Sequence, residues 1–161
     1  MSVENPAMSQ NVISQPLGST TGPRYFLDTN ILVYSVDPTD LAKQRVAAGL
    51  VRDSLRNGRG VISFQVVQEF CSVARRKFAT PFSWNDLRDF FQQVLAPLCE
   101  IHSSSDLYRS CLVISEQTGY SYYDSLILAA AASAGCQTLY SEDLQSGQML
   151  VGLKIVNPFL G

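Results

Sequence analysis

Tyr25–Tyr34 reads YFLDTNILVY. Apolar and aromatic residues flank a polar triplet, Asp28, Thr29 and Asn30, at a point where a hydrophobic strand should be running into a core. Burying a carboxylate is unfavourable unless it is partnered. The triplet therefore marks either a helix start, with Asp28 as its cap, or a polar site at the end of a strand.

The alternation around this stretch predicts the fold class. Tyr25–Leu27 predicts a short strand. Asp40–Arg56 carries apolar residues at helical spacing and is stopped by Asn57-Gly58. Gly60–Ser63 predicts a strand and Gln65–Phe78 a helix. Ser83 caps a helix through Val94, with Asp86 in the capping-box position and Pro97 beyond its end. Leu98–Ile101 predicts a strand, Ser105–Gln117 a helix stopped by Gly119, and Ser121–Ala134 a helix closed by Gly135. Cys136–Tyr140 and Lys154–Val156 complete the strands. This alternation predicts an α/β fold: three layers, α/β/α, around a central, mostly parallel sheet.

The bulk composition sets further bounds. With 161 residues, 46% hydrophobic and 16% charged, the chain suits one globular domain with a sizeable core. Residues 1–23 are rich in Ser, Pro, Gln, Asn and Gly and are expected as a disordered tail. The folded domain is expected over residues 24–161. A net charge of -2 argues against a generally basic nucleic-acid binder and requires any such contact to be local. The four cysteines, Cys71, Cys99, Cys111 and Cys136, form no CxxC pair and read as small buried hydrophobes in a reducing compartment. The single histidine, His102, has no ligand-spaced companion and reads as structural. The longest apolar run, Leu126–Cys136, is about half the ~20 residues that span a membrane. The N-terminus lacks a secretion signal, so the expected location is the cytoplasm.

In a parallel α/β sheet, sites gather at the carboxyl ends of the strands. Asp28 ends the first strand, Asp143 follows Cys136–Tyr140, Asp124 lies in the first turn of a helix, and Glu69 sits on the helix after the second strand. Each has an ordinary explanation. Asp28 and Asp143 can cap helical turns, and Asp124 stands at capping-box spacing from Ser121. Glu69, at the edge of the apolar arc of its helix, can be solvated. Together they point elsewhere. Two carboxylates ~4 Å apart repel by about 4 kcal/mol at an effective dielectric of ~20. A cluster of four calls for a cation, and hard oxygen ligands suit Mg²⁺ or Mn²⁺. Such an ion supports phosphodiester hydrolysis.

LDTNILVY, the QEF on the following helix, YYDSLILAAA, LYSEDLQSGQ and the closing IVNPF together resemble PIN-domain ribonucleases, most closely the VapC-type toxins of bacterial toxin–antitoxin pairs. The resemblance spans Arg24–Phe159. It implies that Asp28, Asp124 and Asp143 ligate the metal and that Glu69 completes the site, with Asn30 and Ser141 as supporting groups. Asp143 is preferred to its neighbour Glu142 because it stands two after Ser141. The resemblance further implies an endoribonuclease that uses a metal-activated water, a homodimer, and a small antitoxin that blocks the groove.

For RNA footing, Arg75, Arg76 and Lys77 end the helix of Glu69. Arg76 lies near Glu69's azimuth and is the first candidate for a phosphate contact, with Arg75 beside it. Lys43, Arg45, Arg52, Arg56 and Arg59 read as an ordinary solvated face. A receiver domain would need a second acid at the first strand end, and a haloacid-dehalogenase-type phosphatase would need Asp-x-Asp. A dinucleotide enzyme would need a Gly-rich first turn. The remaining alternative is a PIN fold that binds RNA or a protein partner without cutting.

Overall fold

A computed structural model describes residues 21–161. Most of the expected tail, residues 1–20, lies outside the described residues. Six strands form one sheet: β1 (Tyr25–Leu27), β2 (Gly60–Ser63), β3 (Cys99–Ile101), β4 (Thr138–Tyr140), β5 (Met149–Leu150) and β6 (Leu153–Val156). Their order is β3-β2-β1-β4-β6-β5. Every pairing is parallel except β5 with β6. Helices flank the sheet as the α/β/α reading expects: α1 (Thr29–Val36), α2 (Leu41–Asn57), α3 (Phe64–Arg76), α4 (Trp84–Phe90), α5 (Ala96–Leu98), α6 (Ser105–Thr118) and α7 (Tyr122–Ser133).

The central strands are buried because helices cover them. Phe26, Leu27, Val61, Ile62, Leu139 and Ile155 are all fully buried. Helix α7 is apolar almost all round and buries Leu126 through Ala131, the pattern of a helix enclosed by its neighbours. Helix α2 lies so close to β2 that a Cβ on Gly60 would fall 2.1 Å from the Ser54 hydroxyl oxygen, so only glycine fits there.

The helix caps follow the sequence. Asp40 accepts from Ala42 and Lys43 at the start of α2, and Gly58, in the left-handed region at φ 66°, ends it. Ser83 and Asp86 form the reciprocal capping box of α4. Past Phe90 the structure departs from the expected helix to Val94. The chain continues through a π turn, Phe91–Leu95, into α5. Pro97 lies inside that short last helix rather than beyond the end. Strand β4 begins at Thr138 rather than Cys136, because Gly135 at φ 69° delays the extended backbone. Strand β6 stands where Lys154–Val156 is expected, but β5 and the hairpin that joins it to β6 have no counterpart in the sequence reading. The hairpin turns on Val151 and Gly152, both at positive φ.

Strands β1 and β4 are neighbours, paired in register from Tyr25–Thr138 to Leu27–Tyr140. From β1 the chain runs to β2 on one side, while β4 lies on the other. The order reverses there, and the crevice outside the carboxyl ends of β1 and β4 is where such sheets bind ligands.

Candidate active site

Asp28 follows the last residue of β1, and its backbone N–H donates to Tyr140 O at 3.0 Å, so the sheet itself fixes its position. It is also the N-cap of α1, with Oδ1 accepting from Thr29 N at 2.7 Å. The capping reading and the strand-end reading are both met by one residue. Oδ2 accepts from the Ser141 hydroxyl at 2.6 Å and from Asn30 Nδ2 at 3.4 Å. Ser141, fully buried one residue past β4, accepts in turn from Asp143 N at 3.1 Å. Asn30 Nδ2 donates to Asp143 Oδ2 at 3.1 Å, and Asn30 Oδ1 accepts from Glu142 N at 3.3 Å. Thus Asn30 and Ser141 each join Asp28 to the Asp143 segment, across the β1–β4 junction.

Glu69 joins from α3. Its Oε2 accepts from the Thr29 hydroxyl at 2.5 Å and its Oε1 from Gln65 Nε2 at 2.8 Å. Glu69 is thus half-buried and polar-bonded rather than solvated. Gln65 is only 5% exposed and also donates to Tyr123 O at 3.3 Å, which ties α3 to the start of α7. Its Oε1 is buried and without a partner. The sequence reading missed Gln65. The available signal was a polar residue four before Glu69, on the same face of the helix.

The electrostatics follow from this packing. Asp28 is 8% exposed. Its carboxyl is raised from 3.8 to about 6, chiefly by desolvation, with the hydrogen bonds from Ser141 and Thr29 opposing and the negative charges of Asp143 and Glu69 adding to the rise. Asp143 and Glu69 thus lie close enough for their charges to reach Asp28. Asp124 stands apart. It is half-buried in the first turn of α7, where its Oδ2 accepts from the Ser121 hydroxyl at 2.7 Å and its N–H donates to Ser121 Oγ at 3.2 Å. That is the expected capping geometry. The link from Asp124's turn to the other acids runs through Gln65.

Glu142, the neighbouring acid, points to other company. Lys43 holds it in an ion pair while donating to the Tyr34 hydroxyl at 3.3 Å. Burial opposes ionisation of Glu142, and the hydrogen bonds from Lys43 and Tyr34 with the Lys43 charge outweigh it, so the carboxyl sits below its ordinary range. The Lys43 ammonium also lies over the rings of Tyr34 and Phe159, at 4.6 and 5.5 Å from their centroids. Lys43 is therefore no part of a freely solvated basic face. This grip anchors the segment that carries Asp143.

The cations at the end of α3 divide between two clefts. A cleft of about 380 Å³ beside the acids is lined by Thr29, Asn30, Glu69, Lys77, Phe78 and Asp143, among others. Lys77, not Arg76, is the cation in it. Arg75 and Arg76 line a second cleft of about 440 Å³ with Trp84. His102 is exposed, at a third cleft beside Phe64 and Phe91, and none of the acids shares it. Cys111 and Cys136 are buried, Cys71 and Cys99 half-buried, and burial raises all four thiols.

The donor set of carboxylate, hydroxyl and amide oxygens matches in chemistry what a hard divalent cation requires. In spacing, no three acids among the described residues are gathered closely enough to hold one, and their oxygens accept instead from Ser141, Asn30, Thr29 and Ser121.

A family model of the PIN domain matches residues 25–146. Comparison with curated proteins finds no match. Among solved structures, FitAcB from Neisseria gonorrhoeae aligns at 16% identity over 84% of this chain and 99% of that one, with a TM-score of 0.57. VapBC2 from Rickettsia felis, bound to a promoter DNA fragment, aligns at 19% identity over 81% and 96%, with a TM-score of 0.58. VapC20 of Mycobacterium tuberculosis, described as a Sarcin-Ricin loop cleaving toxin, aligns at 20% identity over 74% and 89%, with a TM-score of 0.55. At these identities the likeness is one of fold. With its mostly parallel sheet, its acids at the strand ends and the family match over three quarters of its length, this chain belongs to the PIN domain family.

Proposed function

We propose that this chain is a Mg²⁺- or Mn²⁺-dependent endoribonuclease, the toxin of a toxin–antitoxin pair, acting in the cytoplasm. One observation carries the reading. Asp28, Glu69 and Asp143, from three distant parts of the chain, are brought to the carboxyl end of the sheet by shared partners: Ser141 and Asn30 join Asp28 to the Asp143 segment, and Thr29 joins its turn to Glu69. A domain that needed only caps and solvated acids would not concentrate them there, since their repulsion works against folding. The PIN family and the toxin structures that share its fold support the same reading.

Asp28, Asp124 and Asp143 would hold the ion, with Glu69 completing the set, Asp124 and Asp143 exchanging their present hydrogen bonds for it. A divalent cation so bound would offset charge on a phosphoryl oxygen and lower the pKa of a water. The chain's own residues supply the rest. Ser141 and Asn30 orient Asp28, Thr29 and Gln65 orient Glu69, and Lys43 anchors Glu142 so that Asp143 faces the cleft. Lys77 offers a phosphate of the substrate its footing. The partners proposed with this reading are an RNA substrate, a small antitoxin that covers the cleft, and a second copy of the chain. No helix among the described residues is long and apolar enough to cross a membrane.

Incubating purified, antitoxin-free protein with an end-labelled RNA pool tests the proposal. With Mn²⁺ or Mg²⁺ the RNA is expected to break into fragments with 5′-phosphate and 3′-hydroxyl ends, and EDTA or Asp124→Ala is expected to stop the cutting. Folded protein that binds the pool without cutting it would favour the non-cleaving alternative.

A further inference from the structure

Trp84, the chain's single tryptophan, is 62% exposed at the first position of α4. Its placement is fixed from both sides. The Ser83–Asp86 capping box sets the start of its helix. Arg75 lies against one face of the indole, with its guanidinium carbon 4.1 Å from the ring centroid, and also donates to Phe82 O. A large aromatic ring held rigid and left open contributes little to the core. The cleft it opens onto, about 440 Å³, is lined by Cys71, Ser72, Arg75, Arg76 and Leu87. Arg76 is exposed and engaged in no ion pair among the described residues.

The two clefts lie side by side along α3. Val73, Lys77 and Phe78 face the acidic one, while Ser72, Arg75 and Arg76 face the one with Trp84. A helix with its side chains is about 10–12 Å across, so one polynucleotide strand can reach both. In a chain of net charge -2, three successive cations at this helix end are the local basic footing that RNA requires.

We propose that the Trp84 cleft is a nucleobase subsite. It takes an unpaired base of the RNA strand on the open indole surface beside Arg75, while Arg76 meets the adjoining phosphate. A duplex base is already stacked on its neighbours and cannot enter, so the subsite selects single-stranded or looped RNA. The inference rests on the ribonuclease reading and adds to it a base-binding subsite outside the acidic cleft. Charge complementarity favours RNA over an apolar protein segment as the occupant.

Because Trp84 is the only tryptophan, its fluorescence reports on the subsite alone. The full-length protein is titrated in EDTA with single-stranded oligoribonucleotides, and binding is followed in parallel by anisotropy of a labelled strand. Saturable quenching of Trp84 is expected to track the anisotropy. An oligonucleotide with an abasic site at each position in turn should lose the quenching at one position. Trp84→Ala should weaken binding about tenfold, Trp84→Tyr should largely retain it, and duplex RNA should bind without quenching. Trp84 is exposed, so neither variant is expected to melt lower than wild type, which circular dichroism checks. Full binding by anisotropy with unchanged Trp84 emission and no loss in Trp84→Ala would overturn the subsite and leave the nuclease reading standing. Absence of any RNA binding would overturn both. Quenching caused only by a polypeptide partner would assign the cleft to that partner and overturn the proposal.

Discussion

Asp28→Asn is expected to abolish RNA cleavage, by at least about 100-fold, while making the metal-free protein more stable at neutral pH. The carboxyl is raised from 3.8 to about 6 by burial, with Asp143 and Glu69 adding to it. A folded-state pKa above the unfolded value means that the folded state favours the protonated form. Stability therefore declines as pH climbs from about 4 through about 6, and the full penalty stands at pH 7. At about 1.36 kcal/mol per pKa unit that penalty is about 3 kcal/mol. Asparagine carries no charge and can still accept from Ser141. It cannot both do so and accept from Thr29 N, so the cap bond is lost, at about 1 kcal/mol. The net gain is about 1–2 kcal/mol, or roughly 2–8 °C in Tm for a domain of this size. The gain should vanish near pH 4, where the wild-type carboxyl is already protonated. Thermal melts in EDTA at pH 4 and pH 7 check both statements. A variant less stable than wild type at pH 7 would mean that Asp28 serves the fold as a cap and nothing more.

Phe70→Ala is expected to destabilise the domain by about 3–5 kcal/mol. Phe70 is fully buried on α3, next to Glu69. It stacks on Phe90 at 4.6 Å between centroids and meets Phe82 edge-on at 6.1 Å, while Phe82 packs edge-on against Phe90 at 6.0 Å. Alanine would leave a cavity bounded by rigid rings, which close over it poorly. Against a typical total of about 5–15 kcal/mol, the loss is a large fraction of the stability. Since these rings join α3 to α4, the variant should also lose cleavage below its melting temperature. Glu69→Gln separates the two effects, because it should lose cleavage and keep the wild-type unfolding curve. Urea denaturation of both variants checks this, and a Phe70→Ala loss under 1 kcal/mol would contradict the packing described.

What the sequence made legible follows from how local each signal is. Caps and stops such as Asp40, Gly58, Ser83 and Gly119 act on their own neighbourhoods, and they appear where the sequence places them. The strand–helix alternation sufficed for the sheet because apolar runs this short have few other ways to be covered. The β5–β6 hairpin escaped because two paired residues carry no period, and its turn uses a valine where glycine or asparagine would signal it. The π turn escaped because Phe91–Leu95 has the composition of an ordinary helix. At the site, Asp28, Glu69 and Asp143 could be named from their places after strands and on α3. The part played by Gln65 could not, because it depends on Tyr123, fifty-eight residues away. A helical wheel puts Arg76 near Glu69's azimuth, whereas the structure places Arg76 on the second cleft. Phe82 and Trp84 draw Arg75 to the far cleft, and Lys77 is left beside the acids.

The central question is whether these acids, now engaged in hydrogen bonds, gather around one cation. Calorimetric titration of Mn²⁺ into metal-free, full-length protein tests this most directly. The account predicts a saturable site in the wild type that is lost in Asp28→Asn and weakened in each of Glu69→Gln, Asp124→Asn and Asp143→Asn. Binding that is absent at millimolar Mn²⁺, or that is unchanged in all four variants, would contradict it.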